Sequence, residues 1–277
     1  EEPIIKKNLP WLSMFKVRYS YGKVGNDVLK IGNNEFRFPY LYTIGDSKEG
    51  YQWADFNYDK AYTSKLYTVL ASNDATWEIA TKHDLGVDMF TASIDYFHEQ
   101  RDGIWLERKF LPYMAGITAW PHANVGAVLS EGFDGHFAFK HRLNKVFLTV
   151  RGNFTYSKNT IQEKDEEYHV YPYKMEKGYR VNQARGLVSL GLFKDYDDIR
   201  NSPTQTFGTV QPGDIKYKDV NGDGIIDAND EVPIGATTRP NLMYGFGISA
   251  NWKGLDVNVH FQGTGKSSFF VEGATVY

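Results

Sequence analysis

The oxygen-bearing residues between positions 219 and 230 have the spacing of a loop that binds a hard cation. The segment reads DVNGDGIIDAND and fits D-x-[DN]-x-[DN]-G, with Gly224 at the position where such a loop turns sharply. Ca²⁺ takes about six to eight oxygen ligands, and this spacing aims alternate side chains at one centre. The pattern predicts ligands for Ca²⁺ or Mg²⁺ at Asp219, Asn221, Asp223, the backbone carbonyl of Ile225, Asp227 and Asp230.

Two features of this segment favour a modest site or none. The last ligand position holds Asp230 rather than glutamate, and the shorter carboxylate can bind through a single oxygen. Amphipathic helices do not flank the segment, so it is not half of an EF-hand pair. The alternative interpretation is a turn, because Asn-Gly and Asp-Gly pairs form turns without any cation.

Other patterns with catalytic or nucleotide-binding associations do not fit their motifs. Gly263-Thr-Gly-Lys-Ser resembles a phosphate-binding loop, but His260 occupies the position of the motif's first glycine. The 7 histidines are scattered, and no G-x-S-x-G is present. The acidic runs at 165–167 and 195–198 lie in polar segments, where carboxylates are normally solvated. We therefore predict that the protein is not an enzyme.

Composition narrows the class further. The chain has 277 residues and no cysteine, so it has neither disulfides nor thiol chemistry. A formal net charge of −3 provides no bulk attraction to nucleic acid. Aromatic residues make up 16%, which is typical of proteins whose rings lie at two membrane interfaces. No apolar run of about 18 residues is present, which excludes a helical membrane protein.

The elements that must position these residues are strands with two different faces. In 255–264, apolar residues from Leu255 to Phe261 alternate with polar residues from Asp256 to Gln262. In 144–157 the same alternation recurs, and only Phe147 interrupts its polar row. A two-residue period indicates a β-strand whose faces have different surroundings. Strands of about ten residues with this pattern are typical of a sheet between lipid and an aqueous lumen.

Strand patterns occur near 12–21, 77–89, 91–102, 124–140, 144–157, 241–252 and 255–264. Their connections alternate between tight turns and long segments, the latter at about 22–76, 103–123 and 158–240. All long loops would then lie at one rim, as in transmembrane barrels, whereas soluble sandwiches place loops at both ends. We predict an all-β, antiparallel transmembrane β-barrel portion.

The number of strands indicates a larger barrel. Bacterial single-chain barrels have even strand numbers, and an open sheet would leave bare edges in lipid. The start, EEPIIKKNLP, lacks the pattern of a secretion signal. We expect residues 1–277 to be one part of a barrel domain that continues beyond both ends.

Aromatic residues in the long connections are candidates for contact with a ligand. Flat rings on a rim can stack on sugars or hold peptide side chains, but such rings also pack loops together or lie at the membrane interface. The candidates are Trp53, Trp105, Trp120, Tyr171, Tyr173 and Tyr179.

Several stretches together resemble a known family. They are Val17–Asn26, Trp77-Glu78 with Leu85–Asp88 and Asp95-Tyr-Phe, Asn124-Val-Gly126 with Glu131–Phe133, Gly191-Leu-Phe193 with Asp198-Ile199 and Ser202, and Pro212–Asp227 followed by Ile234-Gly235, Pro240 and Phe261-Gln-Gly263. In order and spacing the chain resembles the SusC/RagA family of TonB-dependent outer-membrane transporters of Bacteroidetes. The likeness covers nearly the whole chain.

The resemblance implies a 22-stranded barrel around an N-terminal plug, with this chain in the later part of the barrel. It implies import of glycan or peptide oligomers, energy from the TonB complex, and a SusD-like surface lipoprotein as a lid. One departure is His83-Asp84, where the family usually has asparagine at a lumen-facing position. Two alternatives remain open: a soluble calcium-binding, carbohydrate-binding β-sandwich, and a surface glycoside hydrolase.

Overall fold

The structure is a computed structural model that describes residues 15–51, 62–89, 91–109 and 119–271. In chain order its elements are β1 (Phe15–Asn26), β2 (Lys30–Ile31), β3 (Asn34–Glu35), β4 (Thr43–Tyr51), β5 (Tyr62–Val69), β6 (Glu78–Met89), β7 (Ala92–Glu107), β8 (His122–Leu143), β9 (Val146–Glu163), β10 (Gln183–Gly186), β11 (Ser189–Leu192), α1 (Tyr196–Arg200), β12 (Thr204–Gln205), β13 (Ile215–Tyr217), β14 (Ile225–Ile226), β15 (Val232–Thr237), β16 (Leu242–Trp252) and β17 (Leu255–Gly265). Short 3-10 turns occur at Pro172–Lys174 and Ala228–Asp230.

One 7-stranded antiparallel sheet dominates the fold, with the order β1-β6-β7-β8-β9-β16-β17. These are the seven strands that the alternating pattern predicts, and each is hydrogen-bonded to its predicted neighbour. Four of them run further than the pattern indicates: β1 ends at Asn26, β7 ends at Glu107, β8 begins at His122 and β9 ends at Glu163. In these extra residues apolar and polar side chains no longer alternate. The strands continue there because backbone hydrogen bonding between neighbours does not depend on the two faces being different.

The register places each apolar row on a single face of the sheet. Val150 lies opposite Ile248, which in turn lies opposite Val259. One residue along, Thr149 lies opposite Ser249 and Ser249 opposite Asn258. Because side chains alternate between faces, one side of the sheet is apolar and the other is polar across all seven strands.

None of the residues that the structure describes covers the apolar face. Phe246 and Ile248 in the middle of β16 are 47% and 49% exposed. No second sheet or helix packs on this face anywhere in the described ranges. A soluble β-sandwich would bury these rows against one another, so that alternative is wrong for this sheet. None of the described helices is long and apolar enough to cross a membrane.

Tight turns join the strands at one rim only. Asn144 follows β8 with φ 53°, and Lys253 and Gly254 follow β16 with φ 51° and 87°. Positive φ at both central residues is the hairpin geometry that matches strand twist, and Gly254 reaches it without a Cβ clash. The long connections β1–β6, β7–β8 and β9–β16 all lie at the opposite rim, as predicted.

The longest connection, residues 164–241, forms a small folded unit that we call the rim loop. It contains the antiparallel pairs β10–β15 and β11–β13, the parallel pair β12–β14, and α1. Its own core includes Ile226, at 0% exposure, and Phe193, at 4%. The rim loop is therefore an ordered element of the fold.

Candidate functional site

The height of the apolar face matches the hydrocarbon layer of an outer membrane. On β9 the uninterrupted apolar row runs from Val146 to Tyr156. Ten residues at about 3.4 Å each extend about 34 Å along the strand, which gives about 26 Å of height at a barrel tilt of about 40°. Transmembrane barrels present an apolar band of about 25 Å. The face is thus tall enough to span the membrane but no taller.

Rings lie where this band ends toward the long loops. Tyr19, Tyr96, Phe133 and Tyr156 occupy one register row, and the Tyr96 and Phe133 ring centroids are 5.0 Å apart. Aromatic rings at this level are typical of the interface between lipid and water. The row therefore marks the boundary of the apolar band.

The departure His83-Asp84 straddles the two faces. Asp84 lies on the polar face, as the resemblance implies for that position, whereas His83 lies in the next row beyond the rings. The His83 Nδ1 atom is 2.8 Å from the Tyr19 hydroxyl. A polar side chain is tolerated here because the apolar band has ended.

On the polar face, four residues of β1, β6 and β7 form what we call the Arg18 cluster. Arg18 donates to Asp88 at 2.8 Å and to Asp95 at 2.9 Å, and the Ser93 hydroxyl donates to Asp88 at 2.8 Å. Gly86 makes this possible, since a Cβ there would lie 2.0 Å from Asp95 Oδ1. The pairing holds a guanidinium and two carboxylates in fixed positions on the face that points away from lipid.

A second ion network follows toward the long loops. Arg101 pairs with Glu78 at 3.1 Å and with Glu99 at 2.8 Å, and Lys82 reaches Glu99 at 3.0 Å. The polar positions that the sequence assigns to a wet lumen also lie on this face by register: Arg151, Asn153, Asp256, Asn258 and His260.

The predicted cation loop is closed by its own hydrogen bonds. Asp219 accepts from the backbone N–H of Gly222 at 2.6 Å and of Gly224 at 2.8 Å. Asp223 accepts from the N–H of Ile225 at 2.8 Å and from the Asn221 side-chain amide at 2.8 Å. These side chains therefore serve as turn-forming acceptors in the structure, which is the alternative role that the sequence left open.

Asp230 has a different role from the other predicted ligands. It is completely buried, and its carboxylate accepts from the N–H groups of Val220 at 2.8 Å and Asp227 at 2.9 Å. Asp227 caps the short turn that follows it by accepting from Asn229 at 2.7 Å. Within the part of the chain that the structure describes, no three His, Asp or Glu side chains gather as a metal-binding group. Asp230 thus holds the two ends of the loop together.

Two of the candidate aromatics fasten this loop. The Tyr171 and Tyr173 rings stack at 5.5 Å with 14° between their planes. The Tyr173 hydroxyl donates to the carbonyl of Asn229 at 2.8 Å, and the Tyr171 hydroxyl lies 3.3 Å from the Asn221 amide. Partial burial, together with the nearby carboxylates led by that of Asp230, raises the pKa of the Tyr173 hydroxyl. Sequence alone does not reveal this pairing, since about fifty residues separate the partners.

The remaining candidates are dispersed. The Arg185 guanidinium lies 5.4 Å from the ring centroid of Tyr179, within the rim loop. Trp105 stacks on His122 at 5.8 Å between β7 and β8, and Trp120 is 43% exposed just before β8. Trp53 lies outside the described residues. The structure does not gather these rings into one surface, and their contact with a ligand stays a prediction.

The rim loop also contains an ion pair that its short helix positions. Asp195 caps α1 by accepting from the Asp198 N–H at 2.8 Å. Lys216 on β13 donates to Asp198 at 2.8 Å and lies over the Phe193 ring. The Lys216 ammonium lowers the pKa of Asp198. The pair connects α1 to the β11–β13 ribbon across the core of the rim loop.

Comparison with known proteins yields relatives of one kind. No protein-family model matches the chain. It is 26% identical over 274 residues to TonB-dependent receptor P26 of Formosa agariphila, covering 90% of this chain and 25% of the receptor. It is 26% identical over 272 residues to TonB-dependent receptor P39 of the same organism, covering 83% of this chain and 24% of the receptor. The chain thus spans about a quarter of the length of these curated relatives.

Solved structures show the same fold. The RagAB peptide importer in its "closed-closed" state superposes with a TM-score of 0.61 at 18% identity, over 95% of this chain and 28% of that chain. The "open-open" state gives a TM-score of 0.63 at 18% identity, over 95% and 27%.

A sheet with one polar face and one bare apolar face of membrane height defines a portion of a transmembrane β-barrel. In sequence the chain is similar to TonB-dependent receptors, and in fold it is similar to part of the RagAB importer, as the resemblance to the SusC/RagA family predicts. The relatives are receptors and not enzymes, which confirms the prediction of a non-enzyme and argues against the glycoside hydrolase.

Proposed function

We propose that this chain forms part of the wall and one rim of an outer-membrane receptor that imports glycan or peptide oligomers with energy supplied through TonB. The bare apolar face of membrane height carries this proposal, because such a face is stable only in contact with lipid. The names of the sequence relatives support the coupling to TonB, and the RagAB peptide importer supports import of oligomers. The Arg18 cluster and the polar row of β9 then face the transport path.

The partner that we propose is a SusD-like lipoprotein that closes over the rim with the long loops. Support comes from the rim loop, which is folded around its own core and fastened by the Tyr171–Tyr173 stack. A surface that is already ordered loses less conformational freedom when a partner docks. The "closed-closed" and "open-open" states of the RagAB importer are consistent with a lid that moves.

Import is tested by uptake in cells that produce the full-length receptor. A fluorescent oligopeptide and a fluorescent oligosaccharide of equal length are supplied, and accumulation inside the outer membrane is measured with TonB present or deleted. We expect accumulation of one probe, abolished by deletion of TonB. Equal uptake with and without TonB would contradict the proposal. Native purification tests the lid, since we expect a surface lipoprotein to copurify in stoichiometric amount.

We also propose that Ca²⁺ or Mg²⁺ braces the segment from Asp219 to Asp230. The fit is partial: the sequence spacing supports a cation, whereas the carboxylates of Asp219, Asp223 and Asp230 each accept backbone N–H groups in the structure. A carboxylate has about four lone-pair sites, so an oxygen that accepts one N–H can still bind a cation. A bound ion would add rigidity to a loop that is already closed.

Two substitutions distinguish the cation from the internal hydrogen bonds. Asp223→Ala removes a ligand and two hydrogen bonds of the turn. We expect proteolysis of its rim loop to exceed that of the unsubstituted receptor by more in Ca²⁺ than in chelator. Asp230→Ala strands two buried N–H donors at a cost of about 1–3 kcal/mol each, and we expect faster proteolysis in chelator as well. If chelator leaves the cleavage rate of the unsubstituted receptor unchanged, no cation braces the loop.

A further inference from the structure

The polar face carries a region of uniformly basic character on β8, β9, β16 and β17. In three adjacent register rows, the titratable residues are His136, Lys140, Arg151 and His260, and no position holds Asp or Glu. The nearest carboxylates lie one row beyond, at Asp134 toward the long loops and at Asp256 toward the turns. The polar face is therefore divided between this basic region and the Arg18 cluster.

Glycines form the floor of this region. Gly245 lies between Asn153 and Gln262, and Gly247 lies between Arg151 and His260. Because β16 has no side chains at these points, a shallow groove lies between the neighbouring strands. A cavity of about 480 Å³ beside Gly245 is lined by Asn153, His260 and Gln262, and Arg151 lies at its margin, opposite Gly247. The backbones of strands two apart are separated by about 9.6 Å, and the side chains of β9 and β17 reach into this space from both sides.

Polar groups from both sides lean over this floor. A Cβ at Gly245 would lie 2.6 Å from Asn153 Oδ1, and a Cβ at Gly247 would lie 2.9 Å from His260 Nδ1 and 3.3 Å from Arg151 Nε. The side chains of β9 and β17 thus converge above the glycines. A bulkier residue at either glycine would displace them.

Arg151 keeps most of its donors available. It donates through one Nη to Asn258 Oδ1 at 3.2 Å, and no carboxylate among the described residues lies within ion-pair distance of it. Arg18, on the same face, is bound by two carboxylates. A guanidinium has five N–H donors, and its strongest partner is a carboxylate, which it can bind through two parallel hydrogen bonds.

We propose that the groove over Gly245 and Gly247 binds a carboxylate of the transported oligomer, with Arg151 as the principal partner and His260 and Asn153 beside it. The inference rests on the proposed import function and adds a chemical class to its substrate. The carboxylate belongs either to an acidic peptide or to a uronic acid in a glycan. In the Arg18 cluster the guanidinium is already bound by two carboxylates, so Arg151, rather than Arg18, is the guanidinium that keeps donors for an anionic cargo.

Calorimetric titration of the full-length receptor in detergent tests the proposal with two matched pairs of probes. One pair is hexagalacturonate and its fully methyl-esterified, neutral form. The other is an alternating Ala-Glu hexapeptide and its Ala-Gln counterpart. We expect the acidic member of one pair to bind roughly tenfold or more tightly than its neutral member, as a charge-assisted pair on a half-open surface provides. The responding pair identifies the source of the carboxylate.

Arg151→Gln keeps the length and polarity of the side chain and removes its charge. We expect it to abolish the preference for the acidic probe. Arg142→Gln is the matched control, because Arg142 points to the same face near the turns and stacks on Phe147 instead. If Arg151→Gln fails to assemble, Gly247→Ala serves in its place, since its Cβ displaces His260 and Arg151 with the smallest added volume beside the Val259 carbonyl.

Three results would each overturn the proposal: equal binding of acidic and neutral probes by the unsubstituted receptor, persistence of the acidic preference in the groove variant, or an equal loss in Arg142→Gln. Binding to the purified receptor does not require TonB. A failure here is therefore distinct from a failure of the import proposal, which TonB-independent uptake alone would reveal.

Discussion

Placing an arginine on the apolar face tests whether that face meets lipid. Ile248 on β16 lies four residues from Trp252 and six from Leu242, and its register neighbours are Val150 and Val259. Four residues correspond to about 14 Å along the strand and about 10 Å of height at a tilt of about 40°. Ile248 is therefore close to the middle of a band about 25 Å tall. An arginine at that depth costs about 2–4 kcal/mol.

The adjacent residue provides the control. Ser249 points to the polar face between Thr149 and Asn258, so Ser249→Arg places the same side chain one step away in water. We expect it to change the free energy of unfolding by no more than about 1 kcal/mol. The difference between the two variants reports the cost of the environment together with the loss of the isoleucine side chain, since the introduced arginine is the same and the two positions are adjacent on β16.

The assay is reversible urea unfolding of the full-length receptor in lipid vesicles, followed by tryptophan fluorescence. A loss of about 2–4 kcal/mol corresponds to a change of roughly 30- to 900-fold in the folded-to-unfolded ratio. Equal stabilities of Ile248→Arg and Ser249→Arg would refute a lipid-facing apolar row and with it the assignment of the two faces.

Three further outcomes follow from particular contacts. Gly86→Val forces a side chain into the Arg18 cluster and should destabilise the receptor by about 1–3 kcal/mol, whereas Gly22→Val, with no atom within 4 Å of its Cβ, should not; thermal unfolding compares them. Lys216 lowers the pKa of Asp198, so this ion pair stabilises the fold fully above the unfolded-state pKa of about 3.9 and loses its effect as the pH falls through the lower folded-state pKa. Lys216→Met should therefore speed rim-loop proteolysis at pH 7 and make no difference at a pH below the folded-state pKa of Asp198. Tyr173→Phe removes one hydrogen bond worth about 0.5–1.5 kcal/mol, which should appear as faster amide exchange confined to the rim loop.

The sheet could be predicted from the sequence because its information is local. In a strand such as β17, the alternation of apolar and polar residues shows which side chains lie on each face. The tight turn at Lys253-Gly254 then fixes the pairing of β17 with β16. The long-range pairing of β9 with β16 follows from the barrel topology, in which each barrel strand pairs with the one before it in the chain. The extensions of β1, β7, β8 and β9 cannot be predicted from the sequence, since beyond the apolar band the alternation of polar and apolar residues disappears.

The rim loop could not be predicted in the same way. Asp230 matches a ligand position, yet its carboxylate closes the loop through the N–H groups of Val220 and Asp227, because burial makes every backbone donor there require an acceptor. Tyr173 and Asn229 are 56 residues apart in sequence, and no periodic pattern of residues predicts a contact at that distance along the chain. Motif spacing thus located the loop correctly but did not distinguish ion binding from internal hydrogen bonding.

Tight connections at a single rim also bear on how the sheet assembles. The β6–β7, β8–β9 and β16–β17 hairpins close over two or so residues, so each can nucleate on its own within microseconds. Joining β9 to β16 encloses a segment more than fivefold longer than the one between β7 and β8, but the additional entropic cost is only roughly 1.5 kcal/mol, because closure grows with the logarithm of length. The segments at the rim with the long loops can therefore be lengthened or exchanged in evolution at little thermodynamic cost, while the three hairpins preserve the barrel wall.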